Sequence, residues 1–272
     1  MRNPVLIAGF VATAMVLAWP LAAPAAPDSG MPDFSGFWTR AGENPATFDP
    51  APSGPSAITT AVAHHGHGAD EASNAWIADI TNPILQPWTR AALKKNADGE
   101  AKGISHLGSQ ENCKPSGVPE VLNLRFTVQV LQASDQVTIL YENDQQVRRV
   151  YLNQDHPGGL GPSWYGHSVG HYEGGTLVID TVAQNATTEL DRFGTLHSDQ
   201  LHVVERYSML DANKMQVVFT VEDPKAFTMP WRGVATYRRA GNILPEYVCA
   251  ENNRSTNLTQ HFDVPTAKKA DF

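Results

Sequence analysis

Basic residues are in short supply in this chain. Lys and Arg number 20 against 28 Asp and Glu, a formal net charge of -8. A protein that tracks phosphates needs a basic face, so nucleic acid is excluded as a partner, and an anionic membrane surface with it. Cysteine is scarcer still: Cys113 and Cys249 are the whole complement. Two thiols so far apart argue against an iron–sulfur cluster, and no C-x-x-C-H run offers covalent attachment to haem. There is no G-x-S-x-G for a nucleophile elbow, no Walker loop and no G-x-G-x-x-G. Gly158-Gly159-Leu160-Gly161 has no helical pattern after it and reads as a loop. No cofactor is expected.

Long apolar runs are also missing, with one exception at the start. Val5 to Trp19 is apolar, Arg2 precedes it, and Ala23-Pro24-Ala25 follows as a small-residue cleavage site. Residues 1–25 therefore read as a secretory signal peptide. The mature protein is expected in the periplasm or secreted, with no membrane insertion once the leader is removed. In an oxidising compartment an isolated cysteine pair is expected to bridge, Cys113 to Cys249. Such a bridge is worth about 4 kcal/mol by chain entropy for a long loop. Two buried thiols or a reactive one are the alternatives.

What is present divides the chain further. DFSGFWTR, residues 33–40, reads as a short aromatic strand. Residues 26–112 form that strand and a loop-rich insertion, in which Pro87 to Lys95 is a short helix with Pro in its first turn. His64 to Asn74 is a polar turn region. Residues 113–250 carry a period-two pattern rich in Val, Ile, Thr and Tyr, broken by short turns into eight or nine strands. The fold class is all-β: an antiparallel meander that removes its edges by closing into a barrel. Residues 251–272 are a C-terminal tail.

Within the meander lies GHSVGHYEGG, residues 166–175. Two histidines four apart suit a metal on a helix, but the glycine boundaries and the strand that follows make this a strand ending in a Gly174-Gly175 turn. His167 and His171 then share one face with Tyr165 and Glu173, about 13 Å apart at strand rise. Trp164, Ser168, Gly170 and Tyr172 take the other. The neighbouring strand sets either Asp180 or Thr181 beside them, and a later strand brings His202 and Arg206 on one face and Glu205 and Tyr207 on the other. The hairpin before adds Tyr141, Glu142, Arg148, Arg149 and Tyr151.

Gly36-Phe37-Trp38 resembles the G-x-W motif of the lipocalins and wider calycins. That resemblance implies a barrel whose Trp38 plugs the closed end, with a late-strand arginine, Arg238 or Arg239, packed over it. The chain departs from the family in the seventy or so residues between this strand and the next clear one. The segments DFSGFW, CKPSGVP, GHSVGHYEGGTLVIDT, HSDQLHVVERY, VEDPKAF and EYVCAEN also resemble a group of uncharacterised exported bacterial proteins, which implies no activity.

Titratable residues threaded through barrel strands suggest acid–base chemistry on a small aromatic or apolar molecule, lyase- or isomerase-like and cofactor-independent. His167 and His171 are the expected base and acid, with His202 beside them. Tyr165 is a hydrogen-bond donor, and Glu173 or Asp180 orients a histidine. Trp164, Tyr172, Tyr141 and Arg206 are expected to contact substrate. The alternative is a lipocalin-like carrier without catalysis. A variant of it holds a divalent metal on His167 and His202, although the site assignment itself includes no metal. The same His, Tyr and Glu face is equally what the solvent side of a half-buried sheet presents.

Overall fold

The computed structural model describes residues 31–41, 47–56, 60–64, 74–100, 102, 104 and 106–252. The leader at 1–25, the centre of the polar turn at 65–73 and the tail from 253 lie outside the described residues.

The elements run β1 (Gly36–Ala41), β2 (Asp49–Pro50), β3 (Thr60–His64), β4 (Asn74–Ala78) and α1 (Pro87–Glu100). They continue β5 (Val128–Gln132), β6 (Gln136–Tyr141), β7 (Gln146–Leu152), β8 (His167–Glu173), β9 (Thr176–Val182), β10 (His202–Asp211), β11 (Lys214–Glu222) and β12 (Trp231–Arg239). β1 pairs with both β5 and β12, so β1 and β5–β12 close into a barrel of nine strands. Neighbours are antiparallel except β7 and β8, which run parallel. A parallel pair needs a crossover, and residues 153–166 supply it. The pure meander read from the sequence thus becomes a mixed barrel at this one junction. The helix is also longer than Pro87–Lys95. It continues through Asn96-Ala97-Asp98 to Glu100, where an i, i+4 pair of Lys94 and Asp98 supports the extra turn.

Alternation along the strands fills the interior. Val137, Ile139, Val150, Leu177, Ile179, Val203, Tyr207, Met215, Val217, Phe219, Ala235 and Tyr237 all lie in one core. At one end Trp38 is fully buried, its indole N–H donates to the Phe34 carbonyl at 2.8 Å, and the Arg239 guanidinium lies 4.4 Å from its ring centre. This is a calycin-like arrangement, and Arg239 is the arginine of the two.

The other end is covered by the long insertion and by the loop at 183–201. Val118, Val121, Leu122, Leu124, Leu190 and Phe193 join the barrel core from these segments. Val118 exchanges two hydrogen bonds with the Gln184 side chain, at 2.7 and 2.8 Å, and the Tyr237 hydroxyl donates to the Leu122 carbonyl at 2.7 Å. α1 is tied down by Thr89, whose hydroxyl donates to the Ala226 carbonyl at 3.0 Å, and by buried Leu93. Cys113 and Cys249 form a disulfide across 136 residues with Cα atoms 5.5 Å apart. It fastens the covering segment to the chain beyond β12. No helix among the described residues is long and apolar enough to cross a membrane.

Candidate functional site

Two polar groupings share the same strands and face opposite ways. The inner one begins with Arg148, which falls on the apolar phase of β7, in step with Val150 and Leu152, and is therefore turned into the barrel. Glu205 falls on the apolar phase of β10, between Val203 and Tyr207, and meets it. The guanidinium forks onto both carboxylate oxygens, donating to Oε1 at 3.1 Å and closely to Oε2. Its remaining donors go to Ser168 Oγ at 3.1 Å and Thr181 Oγ1 at 2.8 Å, and the Tyr207 hydroxyl donates to Glu205 Oε1 at 2.9 Å. Both charged side chains are at most 1% exposed.

This explains the parity of β8. A long arginine crossing the barrel needs small neighbours. Ser168 supplies one; Gly170 is small because of its own neighbours, since a Cβ there would lie 2.9 Å from Val150 Cγ1 and 3.0 Å from the Val178 carbonyl. Burial works against the Arg148 charge, but Glu205 outweighs it and the guanidinium is held charged. Burial pushes the nearby Tyr141 hydroxyl up to about 12.

Above this pair sit two aromatic rings. Tyr141, at the end of β6, stacks on Tyr165 with ring centres 5.6 Å apart and planes inclined by 4°. The Tyr165 hydroxyl donates closely to Gln146 Oε1. Gln146 lies opposite Tyr141 in the β6–β7 ladder. Among the described residues, the buried Gln146 Nε2 has no hydrogen-bond partner, and the Tyr141 hydroxyl lies beside the Arg148 guanidinium.

The outer grouping is a chain of histidines and carboxylates. His156, from the crossover, reaches His167 Nδ1 at 2.9 Å through its own Nδ1, and Asp180 Oδ1 at 3.1 Å through Nε2. The carboxylate fixes the His156 proton on Nε2, so its Nδ1 accepts from His167. His202 donates from Nε2 to Asp180 Oδ2 at 2.9 Å and from Nδ1 to Glu222 Oε2 at 3.2 Å. The hydrogen bond to Asp180 raises His202 to about 9, against the effect of burial. Burial pushes Asp180 up, but the bonds from His202 and His156 outweigh it and hold the carboxyl below its usual range. Burial lowers His167, with the neighbouring His156 acting in the same direction, and its ring also stacks on Tyr151 at 5.3 Å.

The residues expected to act together are thus divided. His167, Asp180 and His202 belong to the outer chain. His171 stands apart on the same outer face and bonds only to Glu173, at 2.9 Å, while Arg206 pairs with Glu173 from β10. An acid–base pair of His167 and His171 inside a pocket is not assembled, because both point away from the interior. Tyr165 does not share their face either: it precedes β8 and turns inward. Tyr172 is inward but lies at the Trp38 end, where its hydroxyl accepts from Gln132 Nε2 at 2.7 Å. Trp164 is half-buried in the crossover. Tyr141 is in the core. The sequence assigns no site role to Arg148, Glu205 or Gln146. The signal was a charge or amide on the apolar phase of a strand. Among the described residues, no group of three or more His, Cys, Asp and Glu side chains is arranged to hold a metal ion.

A second titratable group sits in the covering segment. Burial raises Glu120 well above the usual carboxyl range and Asp191 to about 6, while the hydrogen bond to Glu189 raises His106. Asp191 accepts from the Phe193 and Thr195 N–H groups and the Thr195 hydroxyl, which accounts for it as a loop-closing residue.

No protein-family model matches the chain, and no curated protein matches it. Among solved structures, one match is the fluorescent protein UnaG as its N57A mutant. It is 18% identical with a TM-score of 0.26, and covers 42% of this chain and 71% of that chain. A likeness this slight carries no argument about the site. The calycin-like reading rests on the closed barrel, Trp38 and Arg239.

Proposed function

We propose that this protein is a ligand-binding barrel that carries a small aromatic molecule in the covered half of its interior, without catalysis. The observation that carries the reading is the polar assembly on the inner face: Arg148 and Glu205 fully buried, Tyr141 and Tyr165 stacked above them, and the Gln146 Nε2 beside them left without a partner. A buried ion pair is poor evidence of stability, since its desolvation cost rivals its Coulombic gain. Binding pockets, by contrast, combine aromatic walls with a few placed polar groups. The outward direction of His167 and His171 removes the support on which the enzyme reading was built. The disulfide fits residence in an oxidising compartment outside the cytoplasm.

The test is to map the binding of a set of single-ring aromatic compounds by two-dimensional NMR of the purified protein. Saturable shifts are expected at Tyr141, Gln146 and Tyr165, with every compound recovered unchanged. Shifts confined to His156, His167 and His202, or conversion of a compound that is lost in His167→Ala, would overturn the carrier reading.

A further inference from the structure

We infer that the carried molecule is a phenol of one ring, and that it binds by exchanging places with the side chain of Tyr165. The inference rests on the ligand-binding reading above and adds the ligand's class and the identity of the residue that gates it.

Tyr165 differs from the other interior tyrosines. Tyr141, Tyr207 and Tyr237 sit on strands and are nearly or fully buried, whereas Tyr165 arrives from the crossover and is only partly buried. Its ring is held by two things: the Tyr141 face on one side and the Gln146 amide at its tip. The slot therefore already holds a hydroxyaryl ring, supplied by the protein itself. A free phenol can repeat both contacts, stacking on Tyr141 and donating to Gln146 Oε1. The unpartnered Gln146 Nε2 remains beside it as a spare donor. The Arg148–Glu205 pair forms the floor, and because the two charges neutralise each other it does not call for a charged ligand.

The backbone around Tyr165 is fixed, which limits the exchange to a side-chain rotation. Ser163 N–H donates to the Ala183 carbonyl at 3.1 Å, and the Ser163 carbonyl accepts from Asn185 at 2.8 Å and from Gly166 at 3.2 Å. Gly166 has φ +62°, and a Cβ there would lie 2.2 Å from the Val182 carbonyl. With the backbone pinned on that side, the space released by rotating Tyr165 outward is that of one ring. A two-ring compound would need the covering segment to lift as well.

The experiment compares p-cresol with 4-methylanisole, the same ring without the hydroxyl proton, by calorimetry on wild type, Tyr165→Ala, Tyr165→Phe and Gln146→Leu. In wild type p-cresol binds about ten-fold tighter than 4-methylanisole, the value of one hydrogen bond to a buried amide. Tyr165→Ala binds p-cresol at least about ten-fold tighter than wild type, because the competing ring is gone. Tyr165→Phe keeps the ring but loses its hydroxyl, and tightens p-cresol binding by a few fold; it serves should the alanine variant fail to fold. Gln146→Leu erases the preference for the phenol. Equal affinity for the two compounds in wild type overturns the phenol assignment. Unchanged p-cresol affinity in the folded Tyr165 variants overturns the exchange. In both cases the aromatic-carrier reading stands. If none of the folded proteins binds either compound, the carrier reading falls together with the inference.

Discussion

β7 to β10 carry polar residues on both faces, and the two faces use them differently. Inside, Arg148 and Glu205 are sealed from water and bonded to each other and to Ser168, Thr181 and Tyr207, so the chemistry is fixed by packing. Outside, His156, His167, Asp180, His202 and Glu222 form a chain open to solvent, with Asp180 38% and His202 32% exposed. The inner group is where we propose the ligand binds. The outer group fastens the crossover, through His156, to the strands it passes over. A histidine count points to the outer face; burial points to the inner one. The difference teaches that the phase of a polar residue along a strand says more about its role than its identity does.

The largest way to break the comparison is on the inside. Glu205→Leu leaves a buried guanidinium without its counter-ion and is expected to cost about 3–5 kcal/mol in urea unfolding. The double variant Arg148→Met, Glu205→Leu removes both charges and should recover most of that loss. A double variant as unstable as the single one would mean that the polar network itself holds the barrel shape.

The outer face should respond more weakly. Asp180→Asn removes the carboxylate that accepts from both His156 and His202, at an expected cost of about 1 kcal/mol after solvent screening. Its signature is faster amide exchange in the 153–166 crossover, with the inner strands unchanged. pH offers a further probe of the same face. His202 is raised to about 9 in the folded protein. Its contribution is fully present below about pH 6.5, the unfolded value, and is lost as pH rises through 9. Wild-type melting temperature should therefore fall between pH 6.5 and 9 by about 2–4 °C, and His202→Gln should flatten that slope. The smallest effect belongs to the exposed Glu173 with His171 and Arg206: Glu173→Gln should leave the melting curve unchanged.

Much of this architecture is legible in the sequence. The period-two pattern gives the strands, G-x-W the closed end, and two lone cysteines in a chain read as exported the disulfide. Strand phase is legible wherever apolar residues keep one parity, as in Val203, Glu205, Tyr207 and Met209. It is not legible in HSVGHYE, where neither parity is apolar. Ser168 is small where Arg148 bonds to it, and Gly170 where Val150 and the Val178 carbonyl close in, and those partners come from other strands. The parallel β7–β8 junction is hidden for a similar reason. A fourteen-residue crossover rich in Gly, Pro and polar residues reads like any long loop, and the direction of the return shows only in the pairing of Val150, Tyr151 and Leu152 with Ser168, Val169 and Gly170.

The central claim is that the inner face binds and the outer face does not. It is tested most directly by measuring p-cresol affinity in two single variants, Tyr141→Ala and His167→Ala, each checked for an intact fold by circular dichroism. The account predicts that Tyr141→Ala, which removes the ring the ligand stacks on, weakens binding at least about ten-fold, while His167→Ala matches wild type. Loss of binding in His167→Ala with full affinity in Tyr141→Ala would contradict it and move the site to the outer face.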